Sequence, residues 1–249
     1  MQIIIKNTAK KTGETAAAEG IKILKKVLAG KDYATIILAT GASQFDMLAA
    51  LTANRELDWS RVIMFHLDEY IHLPETHPAS FRKYLKERFI SKVPSLKEVF
   101  LINGDNKDPE KECDRLNQII SRHPVDVAFV GIGENGHLAF NDPPADFQTE
   151  LPYIVVDLDL NCRRQQMGEG WFPTIDDVPA RAISMSIRQI MKSKQIICTV
   201  PDKRKAKAVA DCLEGAVSNI HPASILQQHA ACSVYLDRDS ATLLKRAQA

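Results

Sequence analysis

The sequence alternates short apolar runs with longer amphipathic stretches along most of its length. Ile36-Ile37-Leu38 and Val127-Ala128-Phe129-Val130 are continuously apolar, a pattern typical of strands covered on both faces. Between such runs, apolar residues recur at helical spacing, as over 15–28. We therefore predict an α/β fold: a doubly wound, mostly parallel, Rossmann-like sheet with helices on both faces, formed by a single domain over residues 1–249.

The same patterns predict individual elements. Strands are expected at 3–5, 35–39, 61–67, 99–102, 126–131, 195–200 and 233–236. Helices are expected at 15–28, through 47–51, and at 79–89, 109–120, 203–213 and 240–246. The segment 161–179 is the least regular and is interpreted as a lid or a loop. Ligands of such sheets bind beyond the carboxyl ends of the strands, so the loops there are the first candidates for a site.

Composition excludes several partners. The net charge is only +1, so the protein has no overall positive electrostatic field that would attract nucleic acid. No apolar run approaches the roughly 20 residues that are needed to cross a membrane. Five widely spaced cysteines with no Cys-x-x-Cys pair, and a start too short for a secretory signal, predict reduced thiols and a cytoplasmic location. The basic cluster 203–207 is typical of a solvated helix face.

The first candidate segment, Thr40-Gly41-Ala42-Ser43, separates a predicted strand from a predicted helix. Backbone N–H groups at a helix start favour an anion, glycine permits close approach, and the two hydroxyls add donors, so the segment suits a phosphate. It lacks the residues of a Walker A or dinucleotide-binding loop. The alternative is a helix cap formed by Ser43.

The second candidate is the pair Asp68-Glu69, where an apolar strand ends in two carboxylates. Successive strand side chains face opposite sides, so the two residues are expected to differ in role. One would face the cleft as a base, and the other would bind backbone or a partner side chain. The alternative is a helix cap and a surface charge.

The third candidate is the glycine-rich segment 131–143, which follows the strand at 126–131. Its glycines build a tight, exposed loop where a ligand of the sheet would lie. His137 can shuttle a proton near neutral pH, and Asp142 is near enough in sequence to orient it. No histidine pair has the helical spacing of a metal site, and no Gly-x-Ser-x-Gly elbow is present, so neither a metal nor a serine hydrolase is expected.

Together these segments resemble the glucosamine-6-phosphate deaminase family, within the group that includes 6-phosphogluconolactonases. The resemblance runs nearly end to end. Its motifs are Leu38-Ala-Thr-Gly41, Leu67-Asp-Glu-Tyr70, the segment 131–143 and Lys205-Ala206 leading to Glu214-Gly215. The forms of the second and third motifs are similar to the deaminase branch.

The resemblance implies an aldose–ketose isomerase, of hydrolase or isomerase class, that releases ammonia from an amino sugar phosphate without metal or cofactor. Asp68 would move a proton between C2 and C1 of the opened sugar, and His137 would assist ring opening. Asn135 and Asp142 would flank and tune His137. Residues implied to bind the substrate or its phosphate are Thr40, Gly41, Ala42, Ser43, Glu69, Gly136, Arg164 and Lys205. A sugar phosphate is the expected partner, and a homo-oligomer is left open.

The sequence also departs from the family pattern. Gln44-Phe45 replaces a proline after the phosphate loop, and Asn135 and Asp142 stand where the family often has Asp and Glu. The family's phosphate-binding arginine aligns near Gly170, and Arg163 or Arg164 would have to substitute for it. Three functions therefore remain open: an amino sugar phosphate deaminase, a lactonase or isomerase for another phosphosugar, and a non-catalytic sugar-phosphate sensor.

Overall fold

Residues 1–245 of the chain are described by a computed structural model. Its ten strands are β1 Gln2–Lys6, β2 Ala34–Leu38, β3 Val62–His66, β4 Asp68–Tyr70, β5 Glu98–Phe100, β6 Val127–Val130, β7 Tyr153–Asp157, β8 Arg181–Met185, β9 Gln195–Val200 and β10 Cys232–Asp237 within those residues. Its α-helices are α1 Ala9–Gly30, α2 Phe45–Ala53, α3 Phe81–Leu85, α4 Pro109–Ile120, α5 Leu160–Gly168, α6 Ile187–Met191 and α7 Ala206–Glu214.

A seven-stranded parallel sheet forms the centre, in the order β1-β10-β9-β6-β2-β3-β5. Alternate residues of each inner strand enter separate cores: Ile37 and Phe65 pack on one face, and Ile36 and Met64 on the other. Helices α4, α6 and α7 cover the first face, whereas α1 and α2 cover the second. The predicted doubly wound α/β fold is therefore confirmed.

A second, three-stranded antiparallel sheet, β4-β8-β7, was absent from the sequence-based expectations. The chain breaks its strand at Leu67, so β3 ends in the large sheet and Asp68–Tyr70 begins the small one. Asp68 pairs with Ser184 of β8 in this register. The small sheet thus fixes the backbone of Asp68 at the carboxyl end of β3.

Several element predictions need correction. Helix α1 begins at Ala9, six residues before the predicted start at 15, because Thr8 caps it: the Lys11 N–H donates to Thr8 Oγ1 at 3.2 Å. The predicted helix 79–89 is a short α-helix continued by a π-helical turn, Lys86–Ile90. The irregular segment 161–179 contains most of α5. The final predicted helix is wrong over 240–243, which form turns, and Arg246 lies outside the described residues.

The cysteines and the helices bear on the remaining expectations. All five cysteines fall within residues 1–245, where each is a buried free thiol, as predicted. Among the helices described, none combines the length and apolarity needed to cross a membrane.

Candidate active site

A cavity opens at the carboxyl ends of β2, β3, β6 and β9, where the sheet rule predicts a ligand. Its volume is about 550 Å³, counting the space open to solvent at its mouth. The segments that follow these strands, together with α5 and Phe81, form its walls. The lining residues are Ala39, Thr40, Gly41, Ala42, Ser43, Gln44, Leu67, Asp68, Phe81, Gly131, Ile132, Gly133, His137, Ala139, Phe140, Gln165, Gln166, Glu169 and Lys205.

The loop Thr40–Ser43 lines one end of this cavity, as its sequence predicted. Gly41 has φ of 93°, a left-handed conformation that side-chain-bearing residues rarely adopt. Tyr84 fixes the turn, since its hydroxyl donates to the Gly41 carbonyl at 2.8 Å. The alternative that Ser43 caps the helix is wrong: α2 begins after Gln44 and has no side-chain cap. The loop therefore leaves its hydroxyls and amides available to an anion.

Asp68 lines the cavity, and its side chain accepts no hydrogen bond from the described residues. Burial raises the pKa of this carboxyl to about 8, and the charge of neighbouring Glu69 adds to the rise. A carboxyl with that pKa gains or loses a proton near neutral pH. Asp68 therefore has both the position and the acidity of a general base.

Glu69 faces away from the cavity, so its predicted place among the substrate-binding residues is wrong. Its carboxylate is fully buried and accepts hydrogen bonds from the backbone N–H groups of Tyr70, Phe81 and Arg82, at 2.8–3.2 Å. It also accepts from Ser80 Oγ at 3.0 Å and pairs with the Arg82 guanidinium at 3.3 Å. The two carboxylates face opposite sides, as strand alternation predicts: Asp68 lines the cavity and Glu69 turns towards the start of α3.

His137 lines the cavity from the glycine-rich loop after β6 and is 9% exposed. Its ring packs so closely on the loop that a Cβ at Gly133 would lie 2.2 Å from the ring. The backbone N–H of His137 donates to Asn135 Oδ1 at 3.1 Å. Any side chain at position 133 would therefore displace the imidazole of His137.

A polar network holds the far side of the His137 ring. His137 Nδ1 lies 3.2 Å from Asp142 Oδ1, and Asn135 Nδ2 donates to that same oxygen at 3.0 Å. Asn135 also donates to Asp159, whose own N–H donates to Asp142 Oδ2 at 3.0 Å. Burial alone would raise the pKa of Asp142, but His137 and Asn135 lower it overall, so the carboxylate stays ionised beside the imidazole.

Lys205 brings the cationic side chain of the cavity, from the 3₁₀ turn Lys203–Lys205 after β9. The residue is 3% exposed, and burial lowers the pKa of its ammonium group. Its neighbour Lys207 points outwards and pairs with Asp211 at 2.7 Å. The solvated-face interpretation of the basic cluster therefore fits Lys207, whereas Lys205 is buried and lines the same cavity as the Thr40–Ser43 loop.

Three predicted binding residues do not line the cavity. Besides Glu69, these are Arg164, which is exposed in a neighbouring depression, and Gly136, which packs near Cys212. Arg163 does not line the cavity either, and its guanidinium donates to the carbonyls of Ile175 and Val178. Neither arginine of α5 therefore lines the cavity.

Sequence reasoning missed the wall that α5 supplies. Gln165, Gln166 and Glu169 line the cavity, and Glu169 accepts hydrogen bonds from Gln165 Nε2 at 2.9 Å and Trp171 Nε1 at 3.2 Å. The signal was present, since these residues belong to the segment that departs from the family pattern. Without the helix, however, nothing indicated that Gln165 and Glu169, four apart, share one face.

Histidine, aspartate and cysteine also meet at one point beside the cavity. Donor atoms of His137, Asp142 and Cys162 all lie within 4.8 Å of one another. The expectation of no metal rested on spacing along a single helix, and Cys162 comes from α5, 20 residues beyond Asp142. Such a cluster is invisible to a spacing rule.

Comparisons with known proteins show the family of the chain. The model of the family described as glucosamine-6-phosphate isomerases/6-phosphogluconolactonase matches residues 7–235. A glucosamine-6-phosphate deaminase of Bacillus thuringiensis is 37% identical over 237 residues, covering 95% of this chain and 88% of that protein. One from Bacillus anthracis gives the same identity and coverage.

Solved structures extend the comparison to the fold. A monomeric glucosamine-6-phosphate deaminase superposes with a TM-score of 0.89 at 32% identity, covering 98% of this chain and all of that one. A 6-phosphogluconolactonase of Trypanosoma brucei superposes with a TM-score of 0.80 at 16% identity, covering 98% of each chain, and shows the fold alone. Because the family model matches most of this chain, the chain belongs to the glucosamine-6-phosphate isomerases/6-phosphogluconolactonase family.

Proposed function

We propose that this chain is an aldose–ketose isomerase that deaminates an amino sugar phosphate, converting glucosamine 6-phosphate to fructose 6-phosphate and ammonia. One observation carries the proposal: a carboxyl with a pKa near neutrality, a histidine, and an anion-binding loop with a buried lysine share a single cavity. The names of the deaminase relatives point to the same reaction. The free thiols support a reducing compartment such as the cytoplasm.

Binding begins at the phosphate. The Thr40–Ser43 loop donates backbone N–H groups and hydroxyls, and Lys205 brings a positive charge that its burial leaves weakly screened. A phosphate anchored there fixes the far end of the sugar. Binding energy at this remote group positions the reacting carbons against Asp68 and His137.

Ring opening is the first chemical step, since the C2 proton of an aldose becomes acidic only beside an open aldehyde. His137 takes the proton from the anomeric hydroxyl and returns it to the ring oxygen. Asp142 stabilises the positive charge that the imidazole carries between these transfers. Asn135 holds Asp142 and the backbone of His137 at once.

Isomerisation then needs a base and an acid at adjacent carbons. Ionised Asp68 removes the proton at C2, and the electron pair of that bond forms the C1–C2 double bond. The π pair of the C1 carbonyl moves to O1, which takes a proton from water, so that an enolamine and hydroxide result. Asp68 returns its proton to C1, which leaves an iminium ion at C2. Hydroxide adds to the iminium carbon and ammonia departs, which leaves the C2 carbonyl of the ketose.

The decisive experiment measures ammonia release from a panel of 6-phosphorylated amino sugars, beginning with glucosamine 6-phosphate. Release from one member, lost in Asp68→Asn, is the expected result. Hydrolysis of 6-phosphogluconolactone without ammonia release would instead identify a lactonase. Binding of the sugars without turnover of any would support a sensor, and either outcome would overturn the proposal.

A further inference from the structure

Cys162 is a buried thiol for which the proposed reaction has no use. It lies on the first turn of α5, fully shielded from solvent, and contacts the Asp142 carboxylate. Asp142 in turn lies 3.2 Å from His137 Nδ1. Three side chains of different chemistry, supplied by two distant parts of the sequence, therefore meet behind the imidazole.

These three side chains bring their donor atoms close enough together to hold one metal ion. The donor atoms of His137, Asp142 and Cys162 lie within 4.8 Å of one another. Two ligands at about 2.05 Å from a tetrahedral zinc ion are separated by roughly 3.3 Å, close to the 3.2 Å between Nδ1 and Oδ1. The thiol of Cys162 lies within 4.8 Å of both other donor atoms, so a zinc ion in the cluster would draw it inwards to complete three corners of the tetrahedron.

A second observation points to a missing ligand. Within residues 1–245, His137 Nδ1 is a buried atom that makes no hydrogen bond of regular geometry, although Asp142 Oδ1 lies 3.2 Å away. The residue is nine-tenths buried and this nitrogen faces the cluster. A buried polar atom left unpaired in this way is uncommon in folded proteins.

We propose that His137, Asp142 and Cys162 form an inhibitory binding site for a soft divalent cation, with Zn²⁺ as the ion whose chemistry fits best. Thiolate, imidazole and carboxylate are all zinc ligands, whereas Mg²⁺ and Ca²⁺ prefer oxygen alone. The thiol releases its proton to solvent on binding. The thiolate and the carboxylate then neutralise the two charges of the ion, which suits a buried site.

The second layer around the carboxylate is already in place. Asn135 donates to Asp142 Oδ1 and the Asp159 N–H donates to Oδ2, so the oxygens are oriented before any ion arrives. Such outer contacts typically raise metal affinity by about 10- to 100-fold.

Zinc at this site would stop the proton transfer of ring opening. With Nδ1 coordinated, Nε2 carries the hydrogen of the imidazole and has no lone pair for the proton of the anomeric hydroxyl. Asp142 would at the same time be withdrawn from charge stabilisation. This consequence rests on the proposed function, whereas the binding of the metal does not.

Cobalt binding tests the site directly, because Co²⁺ replaces Zn²⁺ and a cobalt–thiolate bond absorbs in the near ultraviolet. We expect the band to saturate at one equivalent of Co²⁺ in the wild-type chain and in the control Cys113→Ser, another buried cysteine. The band should be lost in Cys162→Ala and in Cys162→Ser, so that one unstable variant does not decide the result. No band in the wild type, or a band retained without Cys162, would overturn the proposal.

Inhibition is measured separately, as ammonia release in phosphate-free buffer at controlled free Zn²⁺. Zinc should inhibit the wild type and Cys113→Ser reversibly, with recovery in EDTA, and Mg²⁺ should not. In Cys162→Ala the half-inhibiting Zn²⁺ concentration should rise at least about tenfold. Equal inhibition of this variant would overturn the inhibitory site. A chain without deaminase activity that still gives the Cys162-dependent cobalt band would refute the proposed function and leave the metal site standing.

Discussion

The loops at the end of the large sheet and helix α5 both contribute walls to one cavity, but the two walls are attached to the rest of the fold in different ways. Thr40–Ser43, Asp68 and the His137 loop each follow directly from a strand of the parallel sheet or pair with the small one. Helix α5 reaches the cavity from the far end of β7 and contributes amides and a carboxylate instead.

This difference separates the reaction from its selectivity. The strand-end loops carry the proposed base, proton shuttle and phosphate contacts. Ladder hydrogen bonds fix the strands that lead into these loops, and they also fix Asp68 itself. The wall from α5 carries Gln165, Gln166 and Glu169, in the segment that departs from the family. We infer that the sheet edge sets what chemistry occurs and α5 tunes which sugar phosphate undergoes it. The predictions below test each wall.

The largest effect is expected at Asp68. Asp68→Asn keeps the shape of the side chain but removes the base, so kcat should fall by about 10²–10⁴-fold. Substrate binding, followed as a shift in melting temperature, should persist because Lys205 and the phosphate loop are intact. The control Asp146→Asn changes an exposed aspartate and should behave as wild type. Turnover within a few-fold of wild type in Asp68→Asn would remove Asp68 from the reaction.

The pH profile should give the next largest effect. The pKa of Asp68 is raised to about 8, so below that pH the free enzyme holds this group protonated and lacks its base. We expect kcat/KM to rise on the order of tenfold per unit from pH 6 towards pH 8 and then level off. A flat profile across this range would contradict the assignment.

The raised pKa of Asp68 also predicts how the stability of the folded state depends on pH. A carboxyl whose pKa is raised on folding favours the folded state while protonated, and this contribution is lost as pH rises from about 4 to about 8. Asparagine never ionises, so Asp68→Asn should be more stable than wild type at pH 8, with little difference at pH 4. Thermal unfolding at the two pH values measures the effect. A wild-type melting temperature for the variant at pH 8 would indicate an ordinary pKa.

Much of the sheet-edge wall could be predicted from sequence, and the reason is physical. Thr40–Ser43, Asp68 and His137 follow apolar runs, and parallel strands deliver their carboxyl ends to one edge whatever the rest of the chain does. Glu69 was misassigned because its role depends on the start of α3, which pairs with it only after folding.

The wall from α5 resisted prediction for a related reason. The small sheet that carries this segment pairs β4 with β8, across more than 100 residues of chain, and no local pattern encodes that pairing. Arg164 was expected in the cavity because its chemistry was right, but the helix turns it outwards. Which face of a helix meets a cavity is set by tertiary packing rather than by residue type.

Lys205 should give a smaller effect, concentrated in KM. Lys205→Ala removes a buried charge-assisted contact to the phosphate, typically worth about 1.5–3 kcal/mol, so KM should rise about tenfold or more. The control Lys207→Ala removes an exposed lysine two residues on and should leave KM unchanged. If KM stays at the wild-type value in Lys205→Ala, the phosphate does not bind here.

Glu169 should give the smallest effect and tests the α5 wall most directly. Its carboxylate lines the same cavity as Lys205 and therefore repels a phosphate bound there. Glu169→Gln removes the charge and keeps one acceptor oxygen for the two donors, Gln165 and Trp171. KM for the phosphosugar should therefore fall a few-fold, more at low salt than at high salt.

A matched variant distinguishes repulsion by a carboxylate in the cavity wall from the effect of changing the net charge near Lys205. Glu134 also lies near Lys205 but stands outside the cavity, so Glu134→Gln changes the same net charge without altering the wall. We expect it to lower KM less than Glu169→Gln does. A rise in KM in Glu169→Gln alone would contradict repulsion, because it would mean that the carboxylate binds a hydroxyl or ammonium group of the sugar. Helix α5 would then recognise the substrate by attraction rather than by exclusion.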